Sequence, residues 1–494
     1  MTVGLNAPSQ TQLDTLLEHY QNKRYGDAEK LAISITKQFP GHQFSWKVLG
    51  ALFKLKGMKV ESLKANQRAV QLIPQDAAAH NNLGVALKEL GRFEEAEASY
   101  NQAIAVKSDF AEAHCNLGNM LQKLGRLEES EANYNQAIAV KSDFAEAHCN
   151  LGATLQKLGR LEEAEASYRQ AIRLQSDYAE AHNNLGVMLQ ELDRFEEAEA
   201  SYSQAIAVKS DFAEAHYNLG VFLKKFGKFE SAAEQFKLSN FGKSQSYLLR
   251  CLYMQNKESL FFDQLDYLIN QGEINAVIGS LGCRSALRYG IEKPNLFCKD
   301  PLKYVLKTDL NNQCDFKKIF VNTSNTILNE NRVPYRTQDL LTNGFQTYGN
   351  LFSLDSDFTA EMEKIIREEV DKYRVHFKDS EEGLIAHWPG DYNISSWLIG
   401  MKSGGALKPH MHEMGWLSGS IYINVPSKSK VDSGNLVVCI EDEEFIGEEF
   451  KNLKKIIDVV TGSLVLFPAS LLHYTIPFDS EEERIVLAFD IEPK

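Results

Sequence analysis

The feature that most constrains this chain is a 34-residue period in its N-terminal half. Around His114, apolar residues fall at helical spacing in two runs that are broken at Gly125. The same text surrounds a histidine in each of five copies, at His80, His114, His148, His182 and His216. A unit of helix, turn and helix cannot bury its apolar face alone, so neighbouring units must stack. The period therefore predicts an all-α solenoid.

The residues within one copy point to a known repeat. Small residues lie where the paired helices would touch, at Gly118, Ser130 and Ala137, and an aromatic ring follows at Tyr134. With the 34-residue period, this pattern resembles the tetratricopeptide repeat. Two degenerate copies precede the regular ones, so we expect about seven repeats over residues 9–246. The resemblance implies a curved solenoid whose concave face is built by the first helix of each pair.

One asparagine per copy recurs in register on that first helix. An asparagine amide both donates and accepts hydrogen bonds, so it can pair with a peptide backbone without reading side chains. The ladder predicts an extended polypeptide or protein partner along the concave face. Alternatively, the asparagines recur only because the nearly identical copies arose by recent duplication, which repeats every residue whether or not it is functional. The ladder consists of Asn82, Asn116, Asn150, Asn184 and Asn218. The five repeated histidines are predicted to be structural.

Composition and charge exclude several classes of function. A net charge of −14 without a basic stripe disfavours a nucleic-acid partner. No apolar run reaches the roughly 18 residues that a membrane span needs, and the first residues lack the pattern of a signal peptide. The seven cysteines are dispersed without a CxxC pair, which fits reduced thiols. We therefore expect a cytoplasmic protein.

The remaining sequence changes character twice. Residues 247–300 are helical without the repeat, and we interpret them as a cap and linker that ends in a proline-containing turn region. Residues 301–494 contain short β-type runs separated by turns, including an early run at Ile319–Val321. One amphipathic helix interrupts them, from about Ser356 to Tyr373. Many short strands with one packing helix predict a mainly-β jelly roll, and hence a multidomain protein.

Three histidines and an arginine in this last region form a candidate metal site. If His410 and His412 lie on one strand, they face the same side, because alternate residues share a face. His473 follows a second strand. Three such side chains could occupy one face of a metal and leave open positions, a layout typical of non-haem iron(II) oxygenases. Arg484, on the next strand, could pair bidentately with a carboxylate.

The order of these residues resembles a known family. The matching text is Pro409-His-Met-His412, Leu417 to Pro426, Gly462 to Pro468, His473 and Arg484. It resembles the 2-oxoglutarate- and Fe(II)-dependent oxygenases, in a branch related to the prolyl hydroxylases. The resemblance implies a double-stranded β-helix, ferrous iron and 2-oxoglutarate as co-substrate. It also implies that His473 is the distal ligand and that Arg484 grips the far carboxylate of 2-oxoglutarate, with Tyr422 as a weaker candidate for the same carboxylate.

One position departs from that family and leaves alternatives open. The wider family has Asp or Glu where this chain has His412. Either the site has three histidine ligands, or one of the pair His410 and His412 lies behind the other and iron has two protein ligands. Glu413 is the nearest carboxylate, but on a regular strand it would point away from His412.

Three functions are therefore weighed. The first is a hydroxylase whose solenoid recruits a polypeptide. The second is a tetratricopeptide scaffold for protein–protein interaction, with a catalytically inactive barrel. The third is a cupin-like metalloenzyme that uses iron without 2-oxoglutarate. A three-histidine set suits the third function, but Arg484 would then have no role.

Overall fold

The computed structural model describes residues 7–330, 333, 335–336, 340–354, 356–428, 430–440 and 453–494. The chain forms two compact units, Met1–Leu219 and Gly220–Lys494. The first is a helical solenoid. The second contains further helices and a curled antiparallel sheet. Among the described residues, no helix has both the length and the apolar character that crossing a membrane requires.

Successive antiparallel helices build the solenoid, and the boundary between the two units falls within α13. The helices are α1 Gln10–Gln21, α2 Tyr25–Gln38, α3 Gln43–Leu55, α4 Lys59–Leu72, α5 Ala77–Glu89, α6 Phe93–Val106, α7 Ala111–Lys123, α8 Leu127–Val140, α9 Ala145–Lys157, α10 Leu161–Leu174, α11 Ala179–Glu191, α12 Phe195–Val208 and α13 Ala213–Lys225.

A contact between a glycine and an aromatic ring, which is tyrosine in four copies and Phe236 in the fifth, holds the two helices of each regular repeat together. A Cβ atom at Gly118 would come within 2.8 Å of the Tyr134 ring, so only glycine allows the helices this close. The Ser130 hydroxyl donates a hydrogen bond of 2.8 Å to the Gly118 carbonyl. The intervening turn passes through Gly125, whose φ of +78° favours glycine. The predicted close contact of small residues is confirmed.

The repeated histidines tie each repeat to the turn before it. In every copy, Nε2 of the histidine bonds the carbonyl oxygen six residues earlier. For His114 the partner is the Ser108 carbonyl, at 3.2 Å, and for His216 it is the Ser210 carbonyl, at 3.0 Å. The same bond is made by His80, His148 and His182. These contacts satisfy a turn carbonyl that helical bonds do not reach, as the structural interpretation predicted.

Helices in the second unit precede and flank the sheet. The apolar run Ile319–Val321, predicted as a strand, lies in a π-helical segment instead, where the Phe316 and Phe320 rings stack at 5.2 Å. A short apolar run does not distinguish strand from helix by periodicity, and here the helix forms. The elements are α14 Phe229–Leu238, α15 Ser244–Met254, α16 Glu258–Asn270, α17 Ala276–Tyr289, a 3₁₀ turn Pro301–Tyr304, the π-helical segment Lys317–Asn322, α18 Thr323–Asn329, α19 Leu351–Leu354, α20 Ser356–His376 and α21 Gly383–Ala386.

The strands of the second unit are all paired antiparallel. They are β1 Leu306–Asp309, β2 Tyr335–Arg336, β3 Leu341–Thr347, β4 Tyr392–His410, β5 Leu417–Asn424, β6 Leu436–Cys439, β7 Lys454–Ile457, β8 Ser463–Pro468, β9 Leu472–Thr475 and β10 Arg484–Pro493.

The long strand β4 takes part in both layers of the barrel. Its first part, Tyr392–Met401, pairs with β10, and its last part, Leu407–His410, pairs with β9. One layer therefore runs β8-β5-β10-β4 and the other β4-β9-β6-β7. This is the predicted jelly roll. Alternation on β5 separates two cores: Ile421 faces the cluster that contains α20, and Tyr422 faces the barrel interior.

Candidate metal centre and its cavity

A cavity of about 230 Å³ lies inside the barrel. The two layers supply its walls, so residues far apart in sequence share it. Polar side chains from five strands and one turn face apolar walls such as Ile399, Leu436 and Val486. The polar and ionisable residues at this cavity are Gln346, His410, His412, Ser418, Ser420, Tyr422, His473, Thr475 and Arg484.

The structure brings the three predicted histidines together. Their candidate ligand atoms all lie within 4.8 Å of one another. His410 and His473 are directly opposite each other in the β4–β9 ladder. His412 lies beyond the end of β4, in the turn before β5. The premise that His410 and His412 share a strand is therefore wrong, although both rings reach the cavity.

Hydrogen bonds orient two of the rings. The Nδ1 atom of His410 donates to the Lys408 carbonyl at 2.9 Å. The Nδ1 atom of His412 donates to Oδ1 of Asp490 at 2.7 Å, and the Ser418 hydroxyl donates to the same oxygen at 2.7 Å. Because both Nδ1 atoms are occupied, each Nε2 atom is left with a lone pair toward the cavity.

The spacing of those lone pairs fits a shared metal ion. The two Nε2 atoms of His410 and His412 are 3.1 Å apart. Two imidazole nitrogens that each lie about 2.1 Å from one ion, at roughly a right angle, are separated by about 3 Å. Imidazole nitrogens bind iron, zinc, copper and nickel, so three imidazoles accept iron without selecting it. The donor set therefore fits the metal that the sequence resemblance implies.

Burial keeps the rings of His410 and His473 neutral. It lowers the pKa of His410 to about 4, with a smaller effect from the neighbouring His412. It also lowers the pKa of His473 well below its usual value, and the other two rings add to the shift. Desolvation disfavours the charged imidazolium. At pH 7 both rings are therefore in the form that binds a metal.

Arg484 is a buried cation in the same cavity. It is 1% exposed, and its guanidinium lies over the Tyr422 ring at 5.0 Å from the centroid. Nη1 donates to the Gly434 carbonyl, whereas Nε has no hydrogen-bond partner among the described residues. No acidic residue in the described part of the chain forms an ion pair with it. A buried guanidinium without a counter-ion is costly, and an anionic ligand in the cavity would remove that cost.

Asp490 is the site residue that sequence reasoning missed. It is 4% exposed and forms the hydrogen bond to His412 described above. Strand alternation could have found it: Val486 and Ala488 line the cavity with Arg484, and Asp490 continues the same face of β10. Glu413 takes no part in the cavity. Its carboxylate forms ion pairs with Lys224 and Arg250 instead.

The asparagine ladder lies in the first unit, where each member is half-buried. Several of these amides bond to the preceding repeat. The Nδ2 atom of Asn116 donates to Oδ1 of Asn81 at 3.0 Å, and that of Asn218 donates to Asn183 at 2.9 Å. One donor of each of these amides therefore links neighbouring repeats, which leaves the second N–H and the carbonyl oxygen as candidate contacts for a partner.

Comparisons with known families agree with this architecture. Residues 395–490 match the family model described as "Putative 2OG-Fe(II) oxygenase". Residues 86–125 and 118–159 match a model described as "TPR repeat", and residues 143–211 and 189–240 match models described as "Tetratricopeptide repeat". The chain therefore joins tetratricopeptide repeats to a 2OG-Fe(II) oxygenase-type domain. No curated protein matches it.

Similar solved structures include two that each cover less than half of this chain. One is titled "Functional Characterization of Pseudomonas Aeruginosa pilF"; it is 19% identical over 39% of this chain and 88% of its own, with a TM-score of 0.36. Another is titled "Crystal structure of PilW, widely conserved type IV pilus biogenesis factor"; it is 20% identical over 44% of this chain and 100% of its own, with a TM-score of 0.40. At such identities and TM-scores, these similarities say nothing about function.

Proposed function

We propose that residues 301–494 form an Fe(II)- and 2-oxoglutarate-dependent oxygenase that hydroxylates a polypeptide recruited by the solenoid. One observation carries the proposal: three clustered imidazoles and a buried arginine without an acidic partner line a single cavity. The first set of side chains suits a metal, and the second suits an anion. The match of residues 395–490 to an oxygenase family supports the same assignment.

Three residues would hold the iron. His410 and His473 are neutral because burial lowers their pKa, so no proton has to leave before they bind a metal. Asp490 would hold His412 with Nε2 toward the cavity. We therefore favour a three-histidine site with Asp490 behind it over a site with two protein ligands.

Arg484 and Tyr422 would hold the co-substrate. The far carboxylate of 2-oxoglutarate would pair with the guanidinium, whose Nε is without a partner. Tyr422, buried beneath that guanidinium, fixes its plane. A cavity of about 230 Å³ suits a five-carbon dicarboxylate, since pockets for drug-sized ligands span roughly 300–1,000 Å³.

Bound iron with 2-oxoglutarate supplies oxidation of a C–H bond by oxygen, with release of succinate and carbon dioxide. The protein contributes position and a dry environment. Trp397 and Phe467 stand at the edge of the histidine cluster, 5.3 Å from His412 and 4.9 Å from His473 between ring centroids. Such apolar walls exclude bulk water from the reacting groups.

The solenoid would supply the substrate. Its asparagine ladder, Asn82, Asn116, Asn150, Asn184 and Asn218, offers amide oxygens to the backbone of an extended polypeptide. Tetratricopeptide arrays bind partners along such a repeated surface. This part of the proposal rests on the regular register of the ladder, whereas the oxygenase assignment rests on the cavity.

Turnover of 2-oxoglutarate without added substrate tests the enzyme assignment. We expect purified protein with Fe(II), ascorbate and oxygen to release succinate slowly, and His473→Ala to abolish that release. If the wild type releases no more succinate than His473→Ala, the oxygenase proposal fails. The alternative function, a tetratricopeptide scaffold with a catalytically inactive barrel, would then be favoured. The presence of His412 where the wider family has Asp or Glu leaves this alternative open.

A further inference from the structure

His412 is the one member of the histidine cluster that no strand fixes. His410 and His473 are held by the β4–β9 ladder, in which they are partners. Strand β4 ends at His410, and β5 begins at Leu417. The position of His412 therefore depends on the contacts of its turn rather than on backbone ladder bonds.

The residue after His412 is held by three cations, all within the unit Gly220–Lys494. The carboxylate of Glu413 accepts from Nζ of Lys224 at 2.6 Å and also forms an ion pair with Arg250. The carbonyl oxygen of Glu413 accepts from Nζ of Lys243 at 2.7 Å. We call this set of contacts the Glu413 clamp. Its cations come from the end of α13, from the residue just before α15 and from α15 itself.

The neighbouring contacts reinforce the clamp. Tyr247, also on α15, donates from its hydroxyl to Sδ of Met414 at 3.8 Å. The ammonium of Lys224 lies 3.9 Å from the centroid of the Tyr247 ring. Glu413 and Met414, two successive residues of the turn, are thus both fixed by helices α13 and α15.

Burial makes this arrangement specific. The side chains of Lys224 and Glu413 are only 13% and 16% exposed. A buried ion pair is a weak source of net stability, because desolvation offsets much of its attraction, yet it fixes one geometry. From the other side, Asp490 holds the ring of His412. The turn is therefore held by the Glu413 clamp on one side and by Asp490, through the ring of His412, on the other.

We propose that the Glu413 clamp positions His412 as a metal ligand, so that helices α13 and α15 form part of the metal site. Glu413 is here a positioning residue that never touches the metal. The inference rests on the proposed function in that it requires the three histidines to bind a metal ion. It predicts that metal binding weakens when Lys224, which lies 189 residues from Glu413 in sequence, can no longer pair with Glu413.

Binding of Co(II), followed by its visible absorption spectrum, tests this role. We expect Glu413→Gln and Lys224→Met each to weaken Co(II) binding between about 10- and 100-fold, as changes behind metal ligands do, and to alter the spectrum. The double variant should bind no more weakly than the weaker of the two single variants, because both remove the same contact. Lys224→Arg, which keeps the charge, should restore most of the affinity.

A matched control separates positioning from stability. Asp266 pairs with Lys293 at 2.7 Å in the same unit, and neither residue lines the cavity. Asp266→Asn should leave Co(II) affinity and spectrum unchanged. If Glu413→Gln does not fold, Lys224→Met carries the test, because it leaves the turn sequence intact.

Two results would overturn the inference, and they are distinguishable. Clamp variants with a lower Tm but the wild-type affinity and spectrum would show that the clamp is only structural. A wild-type protein whose Co(II) binding is absent, or is unaffected by His473→Ala, would overturn the metal site itself, and the clamp's role with it.

Discussion

An arginine of the solenoid and an arginine of the barrel differ in how their charges are satisfied. In the solenoid, Arg126 pairs with Glu97 of the preceding repeat at 2.7 Å and with Glu129 of its own repeat at 2.6 Å, in an exposed setting. In the barrel, Arg484 is buried and has no acidic partner among the described residues. Repeats can satisfy one another because each offers the same groups to the next. The barrel leaves groups unsatisfied where a ligand would bind, and this difference marks the functional site.

Substitution of Arg484 should give the largest effect. In Arg484→Met, we expect 2-oxoglutarate binding to weaken by about 100- to 5,000-fold, since a buried charge pair that loses one partner costs roughly 3–5 kcal/mol. Thermal unfolding of the free protein should shift to higher temperature if at all, because the substitution removes a buried charge that had no counter-ion. Arg126→Met in the solenoid is the matched variant and should leave 2-oxoglutarate affinity unchanged. Equal 2-oxoglutarate affinity in wild type and Arg484→Met would contradict the claim that Arg484 binds the co-substrate.

Removal of the Asp490 carboxylate should have the next largest effect. Asp490→Asn cannot hold His412 in the same tautomer as firmly, so we expect metal affinity to fall by about 10- to 100-fold. Calorimetric titration with Fe(II) or Co(II) measures it. Ser418→Ala removes the second hydrogen bond to Asp490 and a longer contact of 3.4 Å to Nδ1 of His412, and should cost less. An Asp490→Asn variant with wild-type affinity would exclude this carboxylate from the metal site.

The metal-free barrel should lose stability in acid. Burial lowers the pKa of His410 from about 6.5 in the unfolded chain to about 4, so the unfolded state binds more protons between these values. The contribution of this residue to the unfolding free energy is therefore constant above about pH 6.5 and falls as the pH drops from about 6.5 to about 4, by about 3 kcal/mol in all. Denaturant unfolding between pH 4 and 8 measures the slope, which His410→Asn should reduce. A slope that His410→Asn leaves unchanged would contradict the assignment to this ring.

The smallest effect is expected in the solenoid, where one methyl group should change stability and nothing else. In Gly152→Ala, the new Cβ would come within 2.9 Å of the Tyr168 ring, and we expect a loss of about 1 kcal/mol after the gain in helix propensity. Gly26→Ala is the control, because no atom lies within 4 Å of its added Cβ. It should stabilise α2 by up to about 1 kcal/mol. Unfolding curves measure the stability of both variants, and metal titrations measure their metal affinity. Altered metal affinity in either variant would contradict the claim that the solenoid helices do not contribute to the metal site through these glycines.

The same contrast explains what the sequence could predict. The glycine–tyrosine contact and the histidine–carbonyl bond join residues within one repeat, so they recur in the printed sequence and are visible as a pattern. The three barrel histidines and Arg484 were predicted because their order matches a family.

The contacts that position His412 were not predictable in this way. Asp490 lies 78 residues from His412, and Lys224 lies 189 residues from Glu413. Strand alternation also failed at His412, because β4 ends at His410 after a shift of register from Leu407. Such contacts depend on which strands and helices become neighbours, and short sequence patterns do not specify that.

Anaerobic titration with Fe(II) and 2-oxoglutarate tests the central claim most directly. We expect the weak visible absorption band of the iron–2-oxoglutarate chelate to appear in the wild type and to vanish in His473→Ala. Arg484→Met should require far more 2-oxoglutarate to reach the same absorbance. A wild-type protein that develops no band and binds no iron would contradict the account, and the barrel would then lack the oxygenase site proposed for it.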